Sequence, residues 1–385
     1  MIPYGRQSIS EADIQAVAGV LRSDFLTQGP AVPRFEQAVA ARCNARFAVA
    51  VNSATSALHI ACAALGVGPG DVVWTSPNTF VASANCARYC GAEVDFVDID
   101  RATHNMSPAA LSDKLERARA AGKLPKAIIP VHFAGLPCEM RRIHELAREY
   151  GVRVIEDASH AIGATYADTV IGDCRYSDIT VFSFHPVKII TTAEGGLCTT
   201  QSEALARRMQ LLRSHGITRE ATELQHKEEG PWYYEQQLLG FNYRLTDMQA
   251  ALGLSQLEHL EQWIARRHSI ADTYDRAFSQ LPLILPVRPA GSRSALHLYV
   301  IQVDPARTAI SRKTAFERLR AAGIGVNVHY IPVHWQPDFQ SLGFRRGQFP
   351  VSEAYYSGCI SLPMFATLTD ADQQTVIRAV GQAVV

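Results

Sequence analysis

From Phe47 onward, short apolar runs alternate with longer amphipathic stretches. The runs Phe47–Val51, Val72–Thr75, Glu93–Val97, Ala127–Val131, Arg153–Glu156, Ile179–Ser183 and Leu197–Thr199 read as strands. Most are apolar at successive positions rather than at every second one, as parallel strands buried on both faces require. The stretches between them, Pro137–Tyr150 among them, repeat apolar residues at helical spacing. Strand and helix in strict alternation predict a large doubly wound, mostly parallel α/β sheet. Ahead of it, Ser10 followed by Glu11 and Asp13 predicts a capped start to a helix over Ile14–Leu21, and the loop Phe25–Pro33 leads to a second helix.

The pattern changes after residue 245. Leu245–Ala277 predicts a long helix or a helix pair, with Leu252, Leu257, Leu260 and Ile264 on one stripe. Then come a strand (Leu296–Val303), a helix (Arg312–Ala322), a strand (Gly325–His329) and a last helix (Asp370–Ala383). The chain therefore divides into a large domain with an N-terminal arm over residues 1–245, connecting helices over 246–285, and a small α+β domain over 286–385. No internal repeat or low-complexity segment points to a solenoid or an array.

A hydrophobic content of 47% and a charged content of 19% describe an ordinary globule with a sizeable core. Lys plus Arg equals Asp plus Glu, at 37 each, which argues against nucleic acid or an anionic membrane as the main partner. The eight cysteines are scattered with no Cys-x-x-Cys pair, and they read as buried free thiols in a reducing compartment. Cys86 and Cys90 lack a second ligand pair, and Pro332 interrupts His329 and His334, so no metal is expected. With no signal peptide or membrane-length apolar run, a cytoplasmic location is expected.

The candidate chemistry lies in three segments. Lys188 sits in Ser183-Phe184-His185-Pro186-Val187-Lys188, just after an apolar strand and ahead of Glu194-Gly195-Gly196. An amine held in a tight loop can form a Schiff base with an aldehyde cofactor. Asp157 ends the buried run Val154-Ile155-Glu156-Asp157. By itself it reads as a helix N-cap; beside Lys188 it reads as the partner of a protonated pyridine nitrogen. In Asn52-Ser53-Ala54-Thr55-Ser56, small hydroxyl residues lie at a strand-to-helix turn, which serves a phosphate or merely caps the helix.

Together, Asn52–Leu58, Glu156–His160 and Ser183–Gly196 resemble the DegT/DnrJ/EryC1/StrS sugar aminotransferases, whose fold is that of the type I pyridoxal 5′-phosphate (PLP) enzymes. The likeness runs nearly end to end, through Ser23–Pro30, His215–Arg219, Gly230–Glu235, Leu239–Arg244 and Gly325–Pro332. That combination resembles the branch acting in pseudaminic acid biosynthesis. The resemblance implies transfer of an amino group from L-glutamate, leaving 2-oxoglutarate, to the C4 ketone of a UDP-linked 2-acetamido-2,6-dideoxy-4-hexulose. Lys188 would anchor PLP and shuttle the proton; relatives that dehydrate sugars carry histidine at this position. Ala54, Thr55 and Ser183 match phosphate-binding positions, His160 a contact to the phenolic oxygen, and Phe80 a ring stacked on the pyridine. Without the resemblance, Phe80 reads as core. Asn242 matches a residue that reaches the phosphate from the neighbouring subunit, which implies a homodimer with shared sites. Tyr4, the run Leu26-Thr27-Gln28-Gly29, His329 and Tyr330 match nucleotide-sugar positions. Two alternatives remain: a family member that aminates a UDP-4-ketopentose, and a PLP-binding regulator without turnover. His185 has no assigned role.

Overall fold

The computed structural model describes residues 1–226 and 229–385. Helices α1 (Glu11–Leu21) and α2 (Ala31–Cys43) precede β1 (Phe47–Val51), α3 (Ala54–Ala64), β2 (Val72–Thr75), α4 (Ala82–Tyr89), β3 (Glu93–Phe96) and α5 (Pro108–Ala120). Then come β4 (Ala127–Ile129), α6 (Met140–Tyr150) and β5 (Arg153–Asp157), and a small ribbon of β6 (Thr165–Tyr166) and β7 (Thr169–Val170). Strands β8 (Ile179–Ser183) and β9 (Gly196–Thr200) and helix α7 (Glu203–Arg213) complete this part.

The seven main strands form one sheet in the order β1-β9-β8-β5-β4-β2-β3. Only β9 runs against its neighbours, pairing antiparallel with β1 and β8; the pairs from β8 to β3 are parallel. Both faces are covered, and successive residues serve opposite layers. Val49, Val73, Ile129, Ile155 and Val181 pack with α3, α4 and α7. Ala50, Phe182 and Leu197 pack toward α2, while Trp74, Ile128 and Val154 pack toward α5 and α6. This is why the strands read as continuous apolar runs.

Ser10 caps α1 through the backbone N–H of Asp13, whose carboxylate accepts in return from the Ser10 backbone. Asp13 is buried and also accepts from Gln256 Nε2 at 2.7 Å, which ties the N-terminal arm to α8 (Asp247–Glu258) after the short pair β10 (Ile217–Thr218) and β11 (Glu235–Gln236). The apolar stretch after residue 245 is a helix pair, α8 and α9 (Leu260–Phe278), parted at His259, which caps the first and starts the second.

The C-terminal part contains an antiparallel sheet of β12 (Leu283–Ile284), β14 (Tyr299–Val303) and β15 (Cys359–Leu362), with β13 (Ser292–Arg293) joining the β6–β7 ribbon. Helices α10 (Arg312–Ala321), α12 (Pro350–Gly358) and α13 (Asp370–Val384) surround it, while α11 (Pro337–Ser341) packs Phe339 against Ala84 of α4 and Val94 and Phe96 of β3. Two strand expectations need correction. Gly325–His329 is not a strand: Gly325 N–H donates to the Ile2 carbonyl, and Asn327 makes only an isolated bridge to Ser361. The Leu296–Val303 strand begins at Tyr299, because Leu296 takes a left-handed backbone with φ 50°. Helices α11 and α12 and strand β15 were not foreseen.

Arg267 on α9 is fully buried. It donates to the carbonyls of Leu296, His297 and Met364 at 3.0–3.2 Å, and burial lowers its pKa to about 10. Arg267→Leu leaves three buried carbonyls unpaired. We expect a loss of roughly 3 kcal/mol or more, read as a lower urea midpoint; an unchanged midpoint would mean that water replaces the guanidinium.

Candidate active site

The carboxyl ends of β1, β2, β4, β5 and β8 open on one side of the sheet, where open α/β folds place ligands. A cavity of about 540 Å³ lies there. A larger one, about 640 Å³, sits at the opposite sheet edge between β3 and α5. It holds none of the three candidate segments, so size does not mark the site here.

Lys188 stands in the loop that joins β8 to β9. That loop is pinned at its neck: Phe184 N–H donates to the Gly195 carbonyl at 2.9 Å, and Thr192 N–H to the Phe184 carbonyl at 3.0 Å. Thr191 Oγ1 donates to the Phe184 carbonyl as well, at 2.8 Å. A turn closed by Lys188 N–H on the His185 carbonyl presents the amine to the cavity. Desolvation lowers the Lys188 pKa to about 8, with Asp157 opposing it.

Asp157 closes β5 and is buried. Ser83 Oγ donates to its Oδ2 at 2.6 Å and the Ser159 N–H to its Oδ1 at 3.1 Å; Thr79 Oγ1 meets Ser83 Oγ at 2.8 Å. No helix follows Asp157, so the N-cap reading does not hold. The carboxylate is held from behind and faces the cavity.

In the third segment the helix cap forms, and the same turn faces the cavity. Ser53 caps α3 through the Ser56 N–H, and Ser53, Ala54 and Thr55 line the cavity. The turn sits tight against β9. A Cβ on Gly196 would fall 2.4 Å from the Ser53 carbonyl oxygen and 2.5 Å from the Ala54 nitrogen, so only glycine allows this approach. Ser183, Tyr4, His185 and Glu194 also border the cavity, His185 Nε2 lying 4.0 Å from a Glu194 carboxylate oxygen.

Phe80 is 59% exposed and lines the cavity, so its core reading is corrected. It sits in the turn before α4, where no apolar layer reaches it. His160 is buried, with Nε2 3.1 Å from Tyr330 Oη and Nδ1 unpartnered. His329 is held by Ser361 at 2.7 Å, and burial, then Lys188, pushes its pKa down to about 4.

Five expected residues lie elsewhere. Leu26, Thr27 and Gln28 are exposed, and Gln28 and Gly29 line a separate cavity with Arg207, Arg213 and Arg244. Asn242 is exposed and bridges Ser214. Within one chain, none of these borders the Lys188 cavity. Ser83, Thr79, Ser159 and His297 were not anticipated. The four-residue hydroxyl spacing of Thr79 and Ser83, on a helix entry just after a strand, was the one available signal for the first two.

The donor set fits PLP: an amine, an acid at the end of a strand, a helix N-terminus with small residues, and the buried unpartnered Nδ1 of His160. Among the described residues, no cluster of His, Cys, Asp and Glu is placed to hold a metal, and no helix is long and apolar enough to cross a membrane. Spore coat polysaccharide biosynthesis protein SpsC of Bacillus subtilis (strain 168) is 41% identical over 382 residues, covering 98% of this chain and 96% of the relative. Helicobacter pylori PseC, an aminotransferase involved in the biosynthesis of pseudoaminic acid, matches with a TM-score of 0.90 at 32% identity, over 100% of this chain and 99% of its own. Spr1654 of Streptococcus pneumoniae in its PMP form matches with a TM-score of 0.90 at 29% identity, over 100% and 99%; its PLP form gives 0.89. Residues 7–381 match the model of the DegT/DnrJ/EryC1/StrS aminotransferase family, and this chain belongs to that family of PLP-dependent sugar aminotransferases.

Proposed function

We propose that the chain transfers an amino group from L-glutamate to the C4 ketone of a UDP-linked 2-acetamido-2,6-dideoxy-4-hexulose, the pseudaminic acid type of reaction. The observation that carries this reading is the whole-length likeness to PseC, joined to a cavity in which Lys188 and Asp157 face one space. PLP, when bound, supplies an electron sink that stabilises negative charge at the carbon losing its proton.

The chain's own residues do the rest. Lys188 Nζ takes and returns the proton, and desolvation in the cofactor-free chain already draws its pKa down to about 8, toward the range a general base needs. Asp157 holds positive charge on the cofactor ring. Its orientation is set by Ser83 and Ser159 before anything binds, so little reorganisation accompanies the reaction. The α3 N-terminus, with Ala54, Thr55 and Ser183, takes the phosphate. Phe80 offers a flat apolar face to the ring, and His160 a hydrogen-bonding nitrogen. Tyr4, His329 and Tyr330 border the part of the cavity left for the sugar.

Leu26–Gly29 and Asn242 enter the site from a second copy of the chain in this reading. Exposed apolar side chains at Phe25, Leu26, Trp232, Tyr234 and Leu239 supply the kind of surface an obligate dimer covers. In that homodimer, mixing Lys188→Ala and Asn242→Ala chains places both lesions in one site and leaves the other whole. Mixed dimers should recover up to about half the wild-type activity by site counting. An active monomer in sedimentation, or mixtures no better than their parents, would remove Asn242 from the site.

The substrate is tested on enzyme preloaded by glutamate. UDP-linked 4-keto sugars are added one at a time, and the return of the PLP absorbance band is followed. The 2-acetamido hexulose should restore the band fastest. A faster return with a UDP-4-ketopentose would reassign the substrate, and no spectral change with glutamate would favour a regulator without turnover.

A further inference from the structure

The segment Ala295–Leu298 is threaded into a narrow slot beside the Lys188 cavity. Ala295 N–H donates to the Gly135 carbonyl at 3.0 Å, and Leu298 N–H to the Ala134 carbonyl at 3.3 Å. Between them Leu296 is left-handed, at φ 50°, a conformation unfavourable for a residue with a Cβ. The other wall is equally close. A Cβ on Gly135 would lie 2.8 Å from the His160 carbonyl oxygen, 2.9 Å from Leu296 N and 3.0 Å from His297 N. Strain of this kind persists where the surroundings over-determine it, often at functional sites.

What the strained segment delivers to the cavity is His297. Its ring is buried and lies 4.4 Å from that of His160, tilted by 41°. Among the described residues no hydrogen bond reaches this imidazole, and its Nδ1 is buried without a partner. A packing role alone would be met better by an apolar ring. Behind it Arg267 donates to the His297 and Leu296 carbonyls, and among the described residues this buried cation has no carboxylate partner. The cavity is thus backed by uncompensated positive charge, yet no arginine lines it. From this chain's own described lining, a carboxylate bound there meets no guanidinium, and the unpartnered His297 ring borders the same space.

We propose that His297 hydrogen-bonds a carboxylate of the amino-acid donor, with the Arg267 charge behind it favouring the anion. This rests on glutamate being the donor. Burial, with His160, Lys188, Arg267 and His329 around it, keeps the imidazole neutral. A neutral imidazole still offers one N–H, and the neighbouring His160 ring holds its plane.

The test uses the holoenzyme, with glutarate as an unreactive dicarboxylate probe. His297→Phe keeps a flat ring and removes both nitrogens, while His297→Gln restores an N–H. Glutarate should bind the phenylalanine variant about tenfold to a hundredfold more weakly, the usual weight of one hydrogen bond to a charged group. The glutamine variant should stay within about threefold of wild type, since an N–H is again on offer. The KM for glutamate should rise with the glutarate Kd, and the KM for the keto sugar should not. Unchanged glutarate binding in His297→Phe, or an equal rise of both KM values, would overturn the assignment. If His297→Phe does not fold, His297→Leu takes its place with the same expected outcome. If wild-type enzyme does not accept amino groups from glutamate at all, the donor reading fails instead, and glutarate binding still reports whether His297 holds a carboxylate.

Discussion

Lys188→Ala should fold like the wild type and lose transamination by several orders of magnitude. Folding is spared because the loop's neck is held by main-chain bonds from Phe184 and Thr192 and by the Thr191 hydroxyl, none of which involves the lysine side chain. Removing the half-buried lysine from a desolvating site also removes a group whose charged form is disfavoured there. Activity is not spared, since in the proposed reaction the proton donor and acceptor and the covalent anchor are one group. Borohydride reduction of the wild-type holoenzyme should fix the cofactor to the peptide that contains Lys188, and a label on any other lysine would defeat the assignment.

The pH dependence gives this prediction a second readout. An ordinary lysine is protonated well past pH 9, whereas Lys188 sits near 8 because burial penalises its charge more than Asp157 rewards it. In cofactor-free protein, acylation at Lys188 should therefore become half-maximal near pH 8, with exposed lysines following above pH 10. For stability the sign is that of a cation with a depressed pKa. The unfolded chain binds the extra proton, so the cofactor-free fold gains stability as pH rises through the window from about 8 to the ordinary lysine range, and loses it as pH falls. Coincident titration of Lys188 and the exposed lysines would mean that the amine is solvated and unsuited to the proton transfer.

Much of this site was legible in the chain because its parts obey local rules. The parallel strands announce themselves as apolar runs, and Asp157, Ser183 and the Ser53–Thr55 turn fall at their carboxyl ends. Lys188 follows from the same logic. What stayed hidden depends on long-range contacts. His297 sits in Ala295-Leu296-His297-Leu298-Tyr299, which reads as a buried strand. Only the left-handed turn at Leu296 and the slot at Gly135 bring it to the cavity. Gly325–His329 has the composition of a strand, yet its first N–H is taken by Ile2 from the far end of the chain, a pairing no window of sequence can register. The exposed positions of Leu26, Thr27, Gln28 and Asn242 were equally unreadable from periodicity, since polar loop composition does not say which loops border a cavity within one chain.

Asp157→Asn carries the other large effect, and its environment makes the outcome specific. Asparagine keeps the shape: its Oδ1 can still accept from the Ser159 N–H, and the Ser83 hydroxyl can turn to accept from its amide Nδ2, so the fold and the cavity should survive. It cannot supply negative charge to a protonated ring nitrogen. Both half-reactions should slow together by about a hundredfold or more, comparable to losing one preorganised electrostatic partner of the transition state. Cofactor binding should weaken much less, because the phosphate contact proposed at the α3 N-terminus and the proposed Lys188 anchor remain. Ser83→Ala provides the graded comparison. It removes one hydrogen bond to the carboxylate and leaves the charge, so a loss of roughly threefold to tenfold is expected. Stopped-flow absorbance with glutamate, and then with the keto sugar, separates the half-reactions. If Asp157→Asn runs both at wild-type speed, the ring nitrogen is not its partner. If Ser83→Ala costs as much as Asp157→Asn, the hydroxyl does more than orient the acid and must itself reach the reacting molecule.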